Sequence, residues 1–296
     1  GEQAAIFGFF EVLPDGYRVA AAMWDHAREW ARERGMTVLH GPHSFTVNED
    51  PGFLVEGFEY APAIMMGHMP PYYAVFAGRY GFEGGSEALA YRVDMAQFEP
   101  DMANAPRALH RVTERAIRRC GPDTIRHARP EEWDREIERL HAVYNRSLST
   151  LPGFIPIEMA EFRAQAMDLK PILDPELTFI AEVDGQAVGF ALGLVNIAEA
   201  LRHANGLRHP WDYLRLALAQ RHITGVSFKI LAMDPDYWGY GLEAVMFLEM
   251  GRAILRKGYT WVDLSLTGAD NPQTTKLARR FGGYVYRRYR QYRLAL

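Results

Sequence analysis

The chain has one cysteine, Cys120. No internal disulfide framework can staple it, and such scarcity points to a reducing compartment. A cytoplasmic location is therefore expected. Cys120 reads as a small buried residue before a nucleophile. No apolar run approaches the ~20 residues that a membrane-spanning helix needs. The opening residues lack the pattern of a secretory signal. They begin at Gly1 and pass almost at once into an apolar run, Ala4 to Val12, as expected of a cleaved tag or a fragment that starts inside a domain. A basic excess is missing too: 33 Lys and Arg stand against 37 Asp and Glu, a formal charge of -4. That balance argues against a nucleic-acid partner. His203, His209 and His222 have no spacing that marks a metal site, and no metal is expected. What is present is a chain of 296 residues, 48% hydrophobic, enough to bury the cores of about two domains.

The stretch Leu231 to Met250, "LAMDPDYWGYGLEAVMFLEM", organises the second half. Gly225 to Met233 is expected to be a strand. Asp234-Pro235 ends it, and a loop with Gly239 and Gly241 follows. Leu242 to Lys257 then places Leu242, Met246, Met250, Ala253 and Ile254 on one helical face, and Gly258 stops it. Val262, Leu264 and Leu266 alternate with Asp263, Ser265 and Thr267, the pattern of a half-buried strand. Asn271 to Arg280 is another helix, and "FGGYVYRRYRQYRLAL" closes with one or two strands. Its tyrosines and arginines suggest a solvated outer face that could attract anionic lipid or a CoA phosphate.

The first half repeats this order. "AAIFGFFEV" is a strand; Val19, Met23, Ala27 and Trp30 share a helical face; "MTVLHG" is a strand; "PPYYAVFAGRYGF" is a helix; "EALAYRVD" closes. Between its second strand and second helix it carries about 22 extra residues, in "GPHSFTVNEDPGFLVEGFEYAPAIMMGHM". An insertion of that length in a compact domain is more often functional than idle. The segment from Met95 to Asp123 is polar and holds a bridging helix. A fresh unit begins near Thr124, with a strand, a helix and a hairpin turning at Asp184-Gly185. The division expected is 1–95, a linker at 96–122, and 123–296.

"TIRHARPEEW", "FIAEVDGQAVGF", "MDPDYWGYGLEAVM" and Asn271 before a helix ending in "RRFGG" together resemble the GNAT superfamily of acyl-CoA-dependent N-acyltransferases. Ala4 to Asp94 resembles the back half of a second such domain. The insertion resembles a bacterial double-GNAT subgroup that includes relatives of bacterial ceramide synthase. The resemblance implies an α/β fold of two GNAT-type domains, each with a mixed sheet and flanking helices, the first lacking its opening strands. It implies acyl-CoA or acetyl-CoA as co-substrate and a small-molecule or lipid amine as acceptor, a long-chain sphingoid-type amine included. Peripheral contact with a membrane is a further expectation, and the oligomeric state is left open.

In that family the loop after the fourth strand offers backbone N–H groups to the CoA diphosphate at a helix N-terminus. The resemblance thus implies a cofactor site at Met233, Trp238, Gly239, Tyr240, Gly241 and Leu242, with Asn271. Two positions depart from the family pattern: Trp238 stands where Arg or Gln is usual, and Glu243 where a small residue is usual. A carboxylate aimed at a phosphate ~4 Å away would cost about 4 kcal/mol at intermediate dielectric. The usual catalytic Glu near the fourth strand is absent, where Ser227 and Lys229 stand, and the usual Tyr position falls on Ala278. The first-half insertion offers substitutes: His68 or Glu49 as base, Tyr72 or Tyr73 as acid. Each has a plainer alternative, a turn at Glu49-Asp50, a hydrogen-bonded loop histidine, or aromatic packing at a helix start. Trp211, Leu214, Leu216 and Leu218, in a second insertion at 196–224, form either a lid over a long chain or a packed amphipathic helix. The competing class is a GNAT-fold protein that binds a ligand with a decayed site. If the first insertion supplies the chemistry, His68→Ala or Glu49→Gln abolishes acyl transfer while thermal unfolding is unchanged; full activity in both variants removes that assignment.

Overall fold

The structure is a computed structural model that describes residues 3–44, 52–150 and 154–296. Its contacts divide it into two units, Gly1–Arg92 with Leu266–Leu296, and Val93–Ser265. This cut differs from the expected division along the chain in two respects. Residues 266–296 pack with the first half, and the bridging segment belongs to the second unit.

In the first unit, β1 (Ala4–Ile6), α1 (Tyr17–Glu33) and β2 (Val38–Gly41) form a parallel strand–helix–strand motif. β3 (Phe53–Glu56), α2 (Tyr72–Tyr80) and β4 (Glu83–Asp94) follow. The sheet order is β1-β2-β10-β4, where β10 is the closing strand Tyr284–Ala295, which also pairs with β3. The burial of α1 is turned by one residue from expectation. Ala20, Trp24 and Ala31 face the core, whereas Val19, Met23 and Trp30 are exposed. The reason is aromatic: Trp24 stacks flat on Phe10 at 4.8 Å, with Phe82 edge-on at 5.2 Å, and the alanines let the helix approach closely. β10 is likewise no solvated outer face. It pairs antiparallel with β2, β3 and β4, and Tyr286, Arg287, Tyr289 and Tyr292 are buried.

The second unit opens with α3 (Arg107–Cys120), the expected bridging helix. β5 (Ile125–His127), α4 (Trp133–Leu148) and α5 (Met159–Leu169) lead to a hairpin of β6 (Leu173–Val183) and β7 (Gln186–Val195). The hairpin turns at Asp184 and Gly185, both with positive φ, as two-residue hairpin loops require. A helical hairpin, α6 (Ala198–Leu201) and α7 (Pro210–Gln220), precedes β8 (Gly225–Met233). α8 (Leu242–Arg256) and β9 (Trp261–Gly268) follow, and α9 (Pro272–Arg280) belongs to the first unit. The sheet runs β9-β8-β7-β6-β5, parallel only at β8–β9. The expected apolar face of α8 is buried at all five positions. Val245 and Leu248 are buried as well, because α3 lies along a second face of the same helix. Cys120, at the end of α3, is half-buried rather than part of a core.

Arg126 of β5 ties this unit to α4. Its guanidinium grips Glu136 through two bonds, at 2.8 and 3.1 Å, and reaches Glu182 at 2.6 Å. Glu136 is almost fully buried. Arg126→Met leaves that carboxylate only the longer contact with Arg139, at 3.8 Å, and should cost about 3 kcal/mol in urea unfolding. Hydrogen bonding from Arg126, opposed by burial, holds the Glu182 carboxyl below its ordinary value. A lowered carboxylate adds stability above its unfolded pKa that is lost as pH falls. Stability therefore declines through the acid range, and less steeply in Arg126→Met.

Candidate functional site

β8 and β9 stay together for only three residue pairs, Gly225 with Trp261, Val226 with Val262 and Ser227 with Asp263. From Phe228 onward β8 keeps β7 on one side and, among the described residues, has no strand on the other. The β7–β8 register shifts between Phe228 and Ile230, which places Lys229 in a bulge. Bulges bend a strand and re-aim a side chain. Here the Lys229 side chain, 8% exposed, comes within 3.6 Å of Asp263 Oδ2 across the point of divergence. Ser227 Oγ donates to the same carboxylate oxygen, and both Ser227 and Asp263 are fully buried. Burial pushes the Lys229 ammonium below the ordinary lysine range, and the Asp263 charge partly restores it. An amine held this way is available as a proton acceptor nearer neutrality than a surface lysine.

At the far end of β8, Asp234 fixes the turn. Its amide donates to Val188 O at 2.8 Å, its Oδ1 accepts from Asp236 N at 3.1 Å, and Arg146 Nε lies 3.1 Å from its Oδ2. Trp238 spends its indole N–H on Met233 O at 3.2 Å and leaves its ring 55% exposed. Gly239 and Gly241 both adopt left-handed φ, 81° and 86°. They differ in what surrounds them. A Cβ at Gly239 would point into open space, so that side of the turn is accessible. A Cβ at Gly241 would sit 2.7 Å from Val112 Cγ1, so the second glycine is required by contact with α3. Arg119, on the last turn of α3, lies over the Tyr240 ring at 3.4 Å.

Leu242 and Glu243 open α8, where helical geometry provides no intrahelical acceptor for the first amides. With the helix dipole they make a region of positive potential. No side chain caps the helix at Gly241. The Glu243 carboxyl, however, lies half-buried beside its own amide. Burial raises its pKa, and the bond to its backbone N–H partly opposes that rise.

Of the residues singled out from sequence, Met233, Trp238, Gly239, Tyr240, Gly241 and Leu242 thus form one continuous turn. Asn271 belongs to the first unit, where its Oδ1 accepts from Thr274 N at 3.2 Å and caps α9. His68 is also in the first unit, and its Nδ1 accepts from Arg287 Nη2 at 2.8 Å. A guanidinium can only donate, so the neutral ring carries its proton on Nε2. Burial and then the Arg287 charge hold His68 below its ordinary pKa. Arg287 also donates to Tyr60 O, Gly67 O and Tyr289 Oη, and so binds the insertion to β10. Tyr72 Oη donates to Val12 O at 2.8 Å, and Tyr73 Oη accepts from Val12 N at 3.2 Å. Burial raises the Tyr72 pKa, with the neighbouring Tyr73 adding to it. Glu49 lies outside the described residues. The sequence reading gave Asp263 to the solvent side of an alternating strand and gave Lys229 no role; the fold buries them together. The available signal was a lone lysine inside an otherwise apolar strand.

No protein-family model matches the chain. It is 26% identical to Protein YghO of Escherichia coli over 99% of this chain and 74% of that protein. It is 28% identical to Bacterial ceramide synthase of Caulobacter vibrioides over 91% of this chain and 70% of that protein. Among solved structures, a GCN5-related N-acetyltransferase of Sphaerobacter thermophilus superposes with a TM-score of 0.52 at 14% identity, over 95% of this chain and 69% of the other. A tandem GNAT protein from the clavulanic acid biosynthesis pathway gives 0.50 at 15% identity, over 100% of this chain and 76% of the other. The chain has the GNAT fold. The α/β double-domain architecture expected from the sequence is the one these likenesses describe. The turn Trp238–Gly241 follows β8 and leads into α8. Asp263→Asn breaks the buried pair with Lys229 and should destabilise the protein by about 3 kcal/mol or more in chemical denaturation; a neutral result would mean that the pair does not hold the strands.

Proposed function

We propose that the protein is a CoA-dependent N-acyltransferase whose acceptor is an apolar, long-chain amine. The observation that carries this reading is the separation of β8 from β9, leading to a turn with one accessible left-handed glycine and the uncapped N-terminus of α8. Such a terminus favours a diphosphate through its backbone N–H groups and its dipole. Trp238 cannot supply the side-chain donors of the family's Arg or Gln, its indole N–H being spent on Met233 O, but Arg119 brings a guanidinium to Tyr240 from the neighbouring helix. Acyl-CoA or acetyl-CoA is the donor in this proposal. The likeness to a protein named Bacterial ceramide synthase supports the long-chain amine.

The reaction forms a C–N bond as the amine attacks the thioester carbonyl, breaks the C–S bond, and releases a thiolate and a proton. Lys229, beside the separating strands, is the proton acceptor we favour, acting from the neutral amine form that burial promotes against the pull of Asp263. His68, Glu49, Tyr72 and Tyr73 remain proposals for base and acid. The present bonds of the two tyrosines to Val12 would have to be replaced for them to act.

One observation favours a second reading, a ligand-binding GNAT-fold protein that has lost turnover. The Glu243 carboxyl stands at the helix N-terminus where a diphosphate would bind. The two readings separate on ligand response. Under the enzymatic reading, acetyl-CoA or palmitoyl-CoA raises the unfolding temperature, and a long-chain amine with acyl-CoA yields the amide by mass spectrometry. No stabilisation by any thioester would remove it. Because the Glu243 pKa is raised, lowering the pH neutralises it before an ordinary carboxyl, so acyl-CoA affinity should rise as pH falls. Glu243→Gln should bind more tightly and lose that pH dependence, whereas Arg119→Ala should weaken binding about tenfold, as expected for a charge-assisted bond.

A further inference from the structure

The α6–α7 hairpin projects apolar side chains that no other part of the described chain covers. On α7, Trp211 is 55% exposed, Tyr213 59%, Leu214 63% and Leu218 51%, with Leu201 of α6 45% exposed. Trp211, Leu214 and Leu218 follow the spacing of one helical face. Soluble surfaces seldom gather an exposed Trp, Tyr and three Leu on one short hairpin, and such a patch marks an interaction site. Of the alternatives for this insertion, packing against the chain's own core is therefore not what the fold does with these side chains.

The charge on the same hairpin identifies the partner. Residues 198–224 carry Arg202, Arg208, Arg215 and Arg221 against Glu199 and Asp212, in a chain whose overall charge is -4. Both carboxylates already have partners within this segment. Glu199 accepts from the Thr224 amide at 2.9 Å and from its hydroxyl at 3.0 Å. Asp212 is fully buried, closes a capping box with His209 and accepts from Arg215 Nη1 at 3.4 Å, so Arg215 is partly neutralised. Arg208 and Arg221 are exposed, and among the described residues no carboxylate pairs with them. Arg202 and Arg215 line an open hollow of about 560 Å³ together with Glu199, His203 and His222. A projecting apolar helix rimmed by arginine, with an indole and a phenol at its edge, matches a bilayer interface with anionic headgroups.

We propose that the α6–α7 hairpin docks the protein on an anionic lipid surface, with Trp211, Leu214 and Leu218 inserted at the headgroup level and the arginines on lipid phosphates. The placement is independent of whether the glycine turn binds CoA. Flotation of the full chain with vesicles tests it, using phosphatidylcholine alone and phosphatidylcholine with phosphatidylglycerol. The protein should float with the anionic vesicles, less so at high salt. Trp211→Ala with Leu214→Ser, and separately Arg208→Gln with Arg221→Gln, should each weaken binding at least ~tenfold, at an unchanged unfolding temperature because these side chains are exposed. Amide hydrogen exchange on the unaltered protein gives a readout that needs no variant: anionic vesicles should protect residues 198–223. No flotation, flotation equal in all variants, or protection elsewhere but not on the hairpin overturns the proposal. So does self-association of the protein that Leu214→Ser abolishes while vesicles bind nothing, since the patch is then an interface between copies. Loss of vesicle binding with intact acyl-CoA stabilisation would refute nothing in the proposed activity, and the converse holds as well.

Discussion

The second unit is organised by how briefly β8 and β9 touch. Parallel strands joined by a helix would ordinarily pair along their length, each extra residue adding a ladder bond. Here the ladder stops at Ser227 and Asp263, and the residues at the stop are polar and buried. Asp263 is held by the Ser227 hydroxyl and faces the Lys229 ammonium. A carboxylate in that position is tolerated only with such partners, because an unpaired buried charge is strongly destabilising. The bulge at Lys229 and the charge pair thus belong together. One turns the side chain inward, and the other compensates its desolvation.

A second constraint lies at the far end of β8. The close contact of Gly241 with Val112 locks the turn onto α3, and the same helix brings Arg119 over Tyr240. The segment expected to be a linker therefore packs against the candidate site. Its guanidinium puts a positive charge over Tyr240, while Glu243 brings a carboxyl to the first turn of α8. A guanidinium from α3 and a half-buried carboxyl on the first turn of α8 thus stand close to the same glycine turn, and the protonation of that carboxyl sets the charge there. A bare helix terminus would not have that dependence.

Much of the fold was legible along the chain because local rules governed it. The bounds of β8, the apolar face of α8, the turn at Asp184-Gly185 and the strand–helix–strand echo in the first half follow from periodicity and glycine placement. Where burial depended on a distant partner, the local pattern misled. The α1 stripe was shifted because Trp24 pairs with Phe10 rather than lying on the most apolar face. The polar strand β10 is internal because three strands pair with it and its arginines find Glu56, Glu87 and the backbone of the insertion. Alternation in β9 placed Asp263 toward solvent, whereas the bulge in β8 provides it with a buried partner.

By itself, the sequence determined the elements, their order, and the glycine turn that opens α8, since each rests on residues within a helical turn or a strand of one another. Tertiary structure alone decided which distant side chains meet. Lys229 and Asp263 are thirty-four positions apart, and Arg119 and Tyr240 more than a hundred. Desolvation and charge pairing act through space, so no spacing along the chain records that these groups meet.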